Sequence, residues 1–171
     1  MTTTYAVGQR LTAALLQDLA DKTLNRPFVR LVAAATQNLT NNTSTAIQFG
    51  TGSTSIDTHG YHSEVTNNSR VTPLIAGYYR ATGLVAYGNS STYTSLQTVI
   101  RFNGTDQAAN ERHGPNTTLS PRGVHAEGTF LCNGTTDYLE LGGLQVSGGT
   151  VATTSSGSTT SYFEVEFLRP A

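Results

Sequence analysis

The stretches RVTPLIAGYYR, residues 70–80, and SYFEVEFL, residues 161–168, decide the fold class of this chain. The first is a short apolar run, a turn containing proline and glycine, and a second run with paired aromatics. In the second, the apolar Phe163, Val165 and Phe167 alternate strictly with Tyr and Glu. Such alternation is typical of a strand with one buried face. We therefore predict an all-β domain whose C-terminal strand is tied into a sheet.

Length and composition narrow the class further. The 171 residues fit one β domain with an N-terminal appendage. Apolar residues make up 37%, charged residues 12%, and the net charge is -1, which is unlike a disordered chain. The ten lysine and arginine residues are scattered, which argues against nucleic-acid binding. The single cysteine, Cys132, excludes an intrachain disulfide and indicates assembly in a reducing compartment.

Residues 1–27 are predicted to form an anchoring segment with a short helix, and residues 28–171 the β domain. The segment lacks the charged start and continuous apolar core of a signal peptide. No apolar run approaches the roughly 20 residues of a membrane span, so membrane insertion is not expected. Thr12 is expected to cap the helix, and the stretch before Pro27 to end it.

The leucines of this helix form the predicted anchoring stripe. They are Leu11, Leu15, Leu16 and Leu19. An isolated helix of about 11 residues is marginal in water, so the stripe needs a surface that covers it. That surface is the chain's own β domain, another copy of the chain or a partner protein.

From Phe28 onward short strands alternate with polar turns. The predicted strands are residues 28–34, 45–49, 70–74, 78–87, 94–102, 123–132, 137–146 and 161–168. Residues 28–34 are expected to be buried on both faces, and Asn103-Gly104 to form a type I′ hairpin turn. Residues 133–136 are expected to join their neighbouring strands as a second pair, and residues 50–60 and 147–160 to be loops. About eight to ten short strands indicate a sandwich or jelly roll.

The order of several motifs resembles the C1q/TNF-like jelly rolls. Pro73 followed by Gly77-Tyr78-Tyr79 is similar to the "P…GxYxF" core of that family, and the strands at residues 138–141 and 161–168 stand in the order of its last strands. The resemblance covers residues 28–168. It implies a homotrimer, packed around a threefold axis through strand edges and aromatic faces. The residues expected in the core or trimer interface are Tyr78, Tyr79, Phe163, Val165 and Phe167.

The opening residues 5–16 are similar to the G-Q-x-L-T-A-x-x-L leader of phage tail and other virion proteins. With the jelly-roll motifs, the chain resembles small actinobacteriophage structural proteins of the minor tail type. It departs from animal C1q proteins in lacking a collagen-like Gly-X-Y stalk. The resemblance implies a structural virion protein: a trimeric surface knob, attached to tail or capsid through its N-terminal segment and assembled in the host bacterial cytoplasm.

The alternative function is a carbohydrate- or receptor-binding module of a tail fibre or tail tip that contacts the host surface. The absence of Trp argues against a dedicated lectin. Tyr61, Tyr87 and Tyr93, near predicted loops, are candidate substitutes for an aromatic platform. Copy number per particle distinguishes a tail component from a capsid decoration.

The densest group of chemically active side chains is Asp57, His59, His62 and Glu64. Four potential ligands in eight residues suit Zn²⁺ or Ca²⁺, but the spacing matches no established motif and favours a polar loop or subunit contact. The motif His125-Ala-Glu127 lacks the downstream cysteine pair of a zinc deaminase and is interpreted as an exposed strand pair. No motif selects a catalytic constellation, so neither an enzyme nor a cofactor is expected.

Overall fold

A computed structural model describes residues 12–16, 25–113, 122–155 and 160–171. The first of these ranges contains a helical turn at residues 13–16. The Thr12 hydroxyl oxygen accepts the backbone N–H of Leu15 at 3.2 Å, and the Thr12 carbonyl accepts that of Leu16 at 3.0 Å. Thr12 therefore caps the helical turn, as predicted. No helix in the described ranges is long and apolar enough to cross a membrane.

Strands dominate the rest of the described chain. They are β1 Phe28–Val32, β2 Asn38–Leu39, β3 Thr45–Ala46, β4 Thr54–Asp57, β5 Arg70–Val71, β6 Gly77–Tyr87, β7 Ser95–Phe102, β8 Thr105–His113, β9 Arg122–Cys132, β10 Leu139–Val146, β11 Val151–Ala152 and β12 Tyr162–Pro170. The first sheet has the order β4-β1-β12-β6-β9. The second has the order β3-β10-β7-β8, with β5 also pairing β10, and β11 pairs with β2 in a small third sheet.

The core lies between the two large sheets because alternate residues of each strand point the same way. In β12, Phe163, Val165 and Phe167 are buried, while the residues between them are partly exposed. Phe163 stacks against Phe49, with ring centroids 6.4 Å apart. Residues 28–34 do not form the strand buried on both faces that the sequence predicted. β1 alternates instead, because only one of its faces meets the core.

Two local predictions have opposite outcomes. Asn103 and Gly104 have φ values of 51° and 78°, and they join β7 to β8 as the predicted tight hairpin. The predicted pairing of residues 123–132 with 137–146 is wrong, because β9 pairs with β6 in the first sheet and β10 with β7 in the second. Asn133 Oδ1 accepts the N–H groups of Thr135 and Thr136, in a compact turn that carries the chain between sheets.

The chain enters the β domain at one end of the sandwich, called here the base. The Phe167 N–H donates to the Pro27 carbonyl at 3.0 Å, and Gly77 pairs with Pro170 at the same end. The turn that follows Val146 lies at the opposite end, where Val146 pairs with Ser95. Residues 50–60 are not one loop: they contain β4, which runs antiparallel to β1 and ends at the base.

Candidate interaction surfaces

The carboxylates of the Asp57–Glu64 region are engaged by backbone donors. Asp57 accepts the N–H groups of His59 at 3.2 Å and His62 at 2.9 Å. Glu64 accepts those of Thr54 at 2.8 Å and Gly52 at 3.0 Å, and these hydrogen bonds hold the pKa of Glu64 below its ordinary value. Both acidic side chains therefore organise the local chain.

The histidines of this region also contact the protein itself. His62 Nδ1 lies 2.9 Å from the Arg70 carbonyl oxygen, and its Nε2 lies 2.9 Å from that of Phe49. His59 Nδ1 lies 2.8 Å from the Thr58 hydroxyl. Among the residues that the structure describes, no group of three or more His, Cys, Asp or Glu is arranged to hold a metal ion.

A charged network on the second sheet was not predicted from the sequence. Glu140 is only 5% exposed, and it accepts a hydrogen bond from Ser69 at 2.6 Å. Its oxygens lie 3.7 Å from Arg70 Nε and 3.8 Å from Arg101 Nη1. Arg101 Nε lies 3.0 Å from Asp106. A glutamate between two core leucines in a buried strand is the one sequence signal that points to this network.

The tyrosine pair of β6 is divided between the two faces of the first sheet. Tyr79 is fully buried, and its hydroxyl donates to the Ile75 carbonyl at 2.8 Å. Burial raises the pKa of the Tyr79 phenol, and the Tyr61 hydroxyl adds to the shift, so Tyr79 remains a donor. Tyr78 lies on the outer face, with the Arg169 guanidinium 4.2 Å from its ring centroid.

The predicted anchoring leucines are only partly described. Leu15 and Leu16 lie in the helical turn at residues 13–16, and Leu16 is 50% exposed. Leu11 and Leu19 lie outside the described residues.

The outer face of the first sheet mixes apolar side chains with paired charges. Arg30 forms an ion pair with Glu164, and Arg80 with Glu166 at 2.6 Å. Apolar side chains that are only half buried lie around these pairs on the same face: Phe28, Val32, Leu84, Tyr162 and Leu168. Because the charged side chains of this face pair with one another, an apolar partner can cover the face without leaving most of those charges unpaired.

The side of the sandwich where β8 and β9 meet is open. Both are edge strands of their sheets, and a cleft of about 390 Å³ lies between them. His125 and Glu127 on β9 are exposed beside this cleft, as the sequence predicted. Phe102 and Phe130 stack at the same seam with ring centroids 5.8 Å apart. Two edge strands that meet at a cleft, with an aromatic pair beside it, offer a surface to a partner.

A second cleft, of about 280 Å³, lies beside the loop before β4. Its lining is uncharged: Ala34, Ala35, Thr36, Gln37, Gln48, Gly50, Thr51, Ser53 and Asn68. The candidate aromatic platforms do not line this cleft, because Tyr61, Tyr87 and Tyr93 are all buried in the core. Their positions near predicted loops did not indicate that these side chains are buried at the ends of the core.

Cys132 gives a direct check of how β9 packs. It is fully buried, and burial, with the negative charge of Asp137, raises the pKa of its thiol to about 12. We expect no alkylation of the native protein by iodoacetamide at about pH 8, and rapid alkylation in urea. The pKa of the thiol is higher in the folded than in the unfolded protein. The thiol therefore stabilises the folded protein below about pH 9, and this stabilisation is lost as the pH rises to about 12. Rapid labelling of the native protein, absent from Cys132→Ala, would show that the end of β9 is exposed.

No protein-family model matches the chain, and no curated protein matches its sequence. Solved structures do share its fold. Murine APRIL at pH 5.0 matches 84% of this chain and 99% of its own, with 13% identity and a TM-score of 0.62. PRD1 vertex protein P5 matches 84% and 97%, with 12% identity and a TM-score of 0.59. The globular domain of zebrafish complement 1qA protein matches 85% and 99%, with 10% identity and a TM-score of 0.54.

These likenesses, together with the two packed antiparallel sheets, confirm the fold class that the sequence predicted. The chain has the all-β jelly-roll fold of TNF and C1q domains.

Proposed function

We propose that the chain is a structural protein of a bacteriophage particle: a homotrimeric surface knob, attached to tail or capsid through residues 1–27. The leader-like opening residues and the likeness to PRD1 vertex protein P5 support this role. The main support is the position of two points of the chain at the two ends of the β domain. Pro27 enters the fold at the base, while the turn after Val146 lies at the other end. The point where the chain enters the β domain and the turn after Val146 therefore lie at opposite ends, as an anchored knob requires.

The trimer is supported by two different surfaces. The outer face of the first sheet is one, and the open side between β8 and β9 is the other. Contacts between two different surfaces repeat head to tail, and they close into a ring when the rotation between subunits permits. We propose that the open side of one subunit packs on the outer face of the next, with threefold closure. Obligate interfaces of this kind commonly bury more than about 2,000 Å² in total.

The particle is also the proposed location of the protein, with assembly in the host bacterial cytoplasm. A buried thiol that is free of any disulfide suits folding in a reducing compartment.

Deletion of residues 1–24 tests whether the N-terminal segment attaches the protein to the particle while the β domain folds and trimerises without it. We expect the truncated protein to fold and trimerise but to be absent from purified particles, because the β domain begins only at Phe28. Immunoblotting of particles from complemented infections measures incorporation, and circular dichroism with light scattering checks the fold. A matched control replaces Val65, which is 87% exposed, with serine. Incorporation of the truncated protein at the wild-type level would place the anchor in the β domain.

A second candidate function is binding of a host-surface glycan. The uncharged cleft beside β4 favours it, because Gln48 and Asn68 present amides and Thr36 and Thr51 hydroxyls around a space of monosaccharide size. Competition of the purified protein with phage adsorption tests this candidate separately from attachment to the particle.

A further inference from the structure

Both ring nitrogens of His62 face backbone carbonyl oxygens. Nδ1 lies 2.9 Å from the oxygen of Arg70, and Nε2 lies 2.9 Å from the oxygen of Phe49. A carbonyl oxygen can only accept a hydrogen bond, whereas a neutral imidazole has one N–H and one nitrogen lone pair. Only the imidazolium, with a proton on each nitrogen, can therefore donate to both carbonyls at once.

The other histidine side chains that the structure describes have partners of a different kind. His59 Nδ1 lies 2.8 Å from the Thr58 hydroxyl, and His125 Nε2 lies 2.6 Å from the Thr82 hydroxyl. A hydroxyl can donate or accept, so each of these contacts suits a protonated or an unprotonated nitrogen. Among the described histidine side chains, His62 alone lies between two groups that must accept.

The charges beside His62 also favour its cationic form. Its charged neighbours are Asp57, Glu64 and Arg70. Asp57 accepts the backbone N–H of His62 at 2.9 Å. Backbone hydrogen bonds lower the pKa of Glu64 most, and the positive charge of His62 lowers it further. The Arg70 side chain pairs instead with Glu140, at 3.7 Å, so the two nearby carboxylates outweigh this one cation.

The hydrogen bonds of His62 fix one wall of the uncharged cleft beside β4. Phe49, whose carbonyl accepts from His62, lies between Gln48 and Gly50, and both of these residues line the cleft. The Phe49 N–H donates to the carbonyl of Asn68 at 2.8 Å, and Asn68 lines the cleft as well. His62 therefore joins this wall to β5, the strand that begins at residue 70.

We infer that His62 is a proton-dependent link between Phe49 and Arg70, and that loss of one ring proton releases one of its two hydrogen bonds. The link acts within the fold, so the inference does not depend on which ligand the cleft binds. The position of the cleft wall then changes with pH. Because the folded protein favours the protonated ring, the link stabilises it below about pH 6.5, and this stabilisation is lost as the pH rises further.

A pH titration of the full-length protein followed by NMR tests the inference. At about pH 7.5, where an ordinary histidine is mostly neutral, we expect both ring nitrogens of His62 to carry protons. When the pH is raised until one proton is lost, the carbonyl carbon signal of Phe49 or Arg70 should shift over the same pH range. His62→Gln identifies the ring signals and should abolish this shift. The matched control is His125→Gln, which removes an exposed imidazole from β9, at the other edge of the first sheet from β4, and should leave the shift unchanged.

Urea unfolding gives a second measurement. Between about pH 5.5 and pH 8.5, the advantage of the wild type over His62→Gln in the folding equilibrium constant should fall at least about tenfold. The titration of other groups, such as Cys132, cancels in this comparison. The inference is overturned by a neutral His62 ring at about pH 7.5, by carbonyl signals that stay constant while the ring loses its proton, or by an advantage that does not change with pH. The wild-type titration remains decisive should His62→Gln fail to fold, because it needs no variant of His62.

Discussion

Replacing Tyr79 with alanine is expected to destabilise the protein by about 3–5 kcal/mol, as removal of a large buried aromatic does. Tyr79 is fully buried between Phe167, at a centroid distance of 5.2 Å, and Tyr61, at 6.3 Å. The truncation leaves a cavity at the base of the core and removes the hydrogen bond to the Ile75 carbonyl. Urea unfolding followed by circular dichroism measures the loss.

Two control variants separate the contributions at Tyr79. Tyr79→Phe keeps the ring and leaves the Ile75 carbonyl without this donor, so we expect a loss of about 1 kcal/mol. Tyr78→Ala removes a neighbouring aromatic from the outer face, and the folding of the single chain should change much less. If Tyr79→Ala and Tyr78→Ala leave the unfolding midpoint unchanged, the assignment of β6 as a central strand of the core is wrong.

Replacing Glu140 with alanine is the second change with a large expected effect, a loss of about 3 kcal/mol. Glu140 is nearly buried beside Arg70 and Arg101, so its removal takes a carboxylate partner from each of these two cations. The value lies at the low end for a broken buried pair, because Arg70 is 37% exposed and Arg101 keeps Asp106.

Glu140→Gln is the matched control, because it keeps an acceptor for the Ser69 hydroxyl while removing the charge. We expect its unfolding free energy to lie between those of the wild type and Glu140→Ala. A change within about 0.5 kcal/mol for both variants, the range of ordinary surface substitutions, would mean that the network does not contribute to folding.

Local signals in the sequence were sufficient where one residue pattern determines one structure. The alternation of residues 161–168 predicts a half-buried strand, and β12 is one. The Asn103-Gly104 pair predicts a tight hairpin because both residues accept positive φ. Both features depend on residues that are neighbours in sequence, so they can be predicted without knowledge of the fold.

Features that depend on contacts between distant parts of the chain could not be predicted from the sequence. β4 contains only one large apolar residue, Ile56, and it is a strand because it pairs with β1 at the edge of the first sheet. The turn at residues 133–136 does not reveal which sheet the next strand joins. The Glu140 network joins positions about 40 and 70 residues apart in sequence, which no local pattern brings together.

The mass of the purified protein in solution shows most directly whether this jelly roll is the homotrimer that we propose. Light scattering at micromolar concentration is expected to give three times the chain mass of 18.1 kDa. The value should be the same with EDTA or a reducing agent, because the proposed trimer depends on neither a metal nor a disulfide. A monodisperse species of 18.1 kDa under these conditions would contradict the proposed trimer.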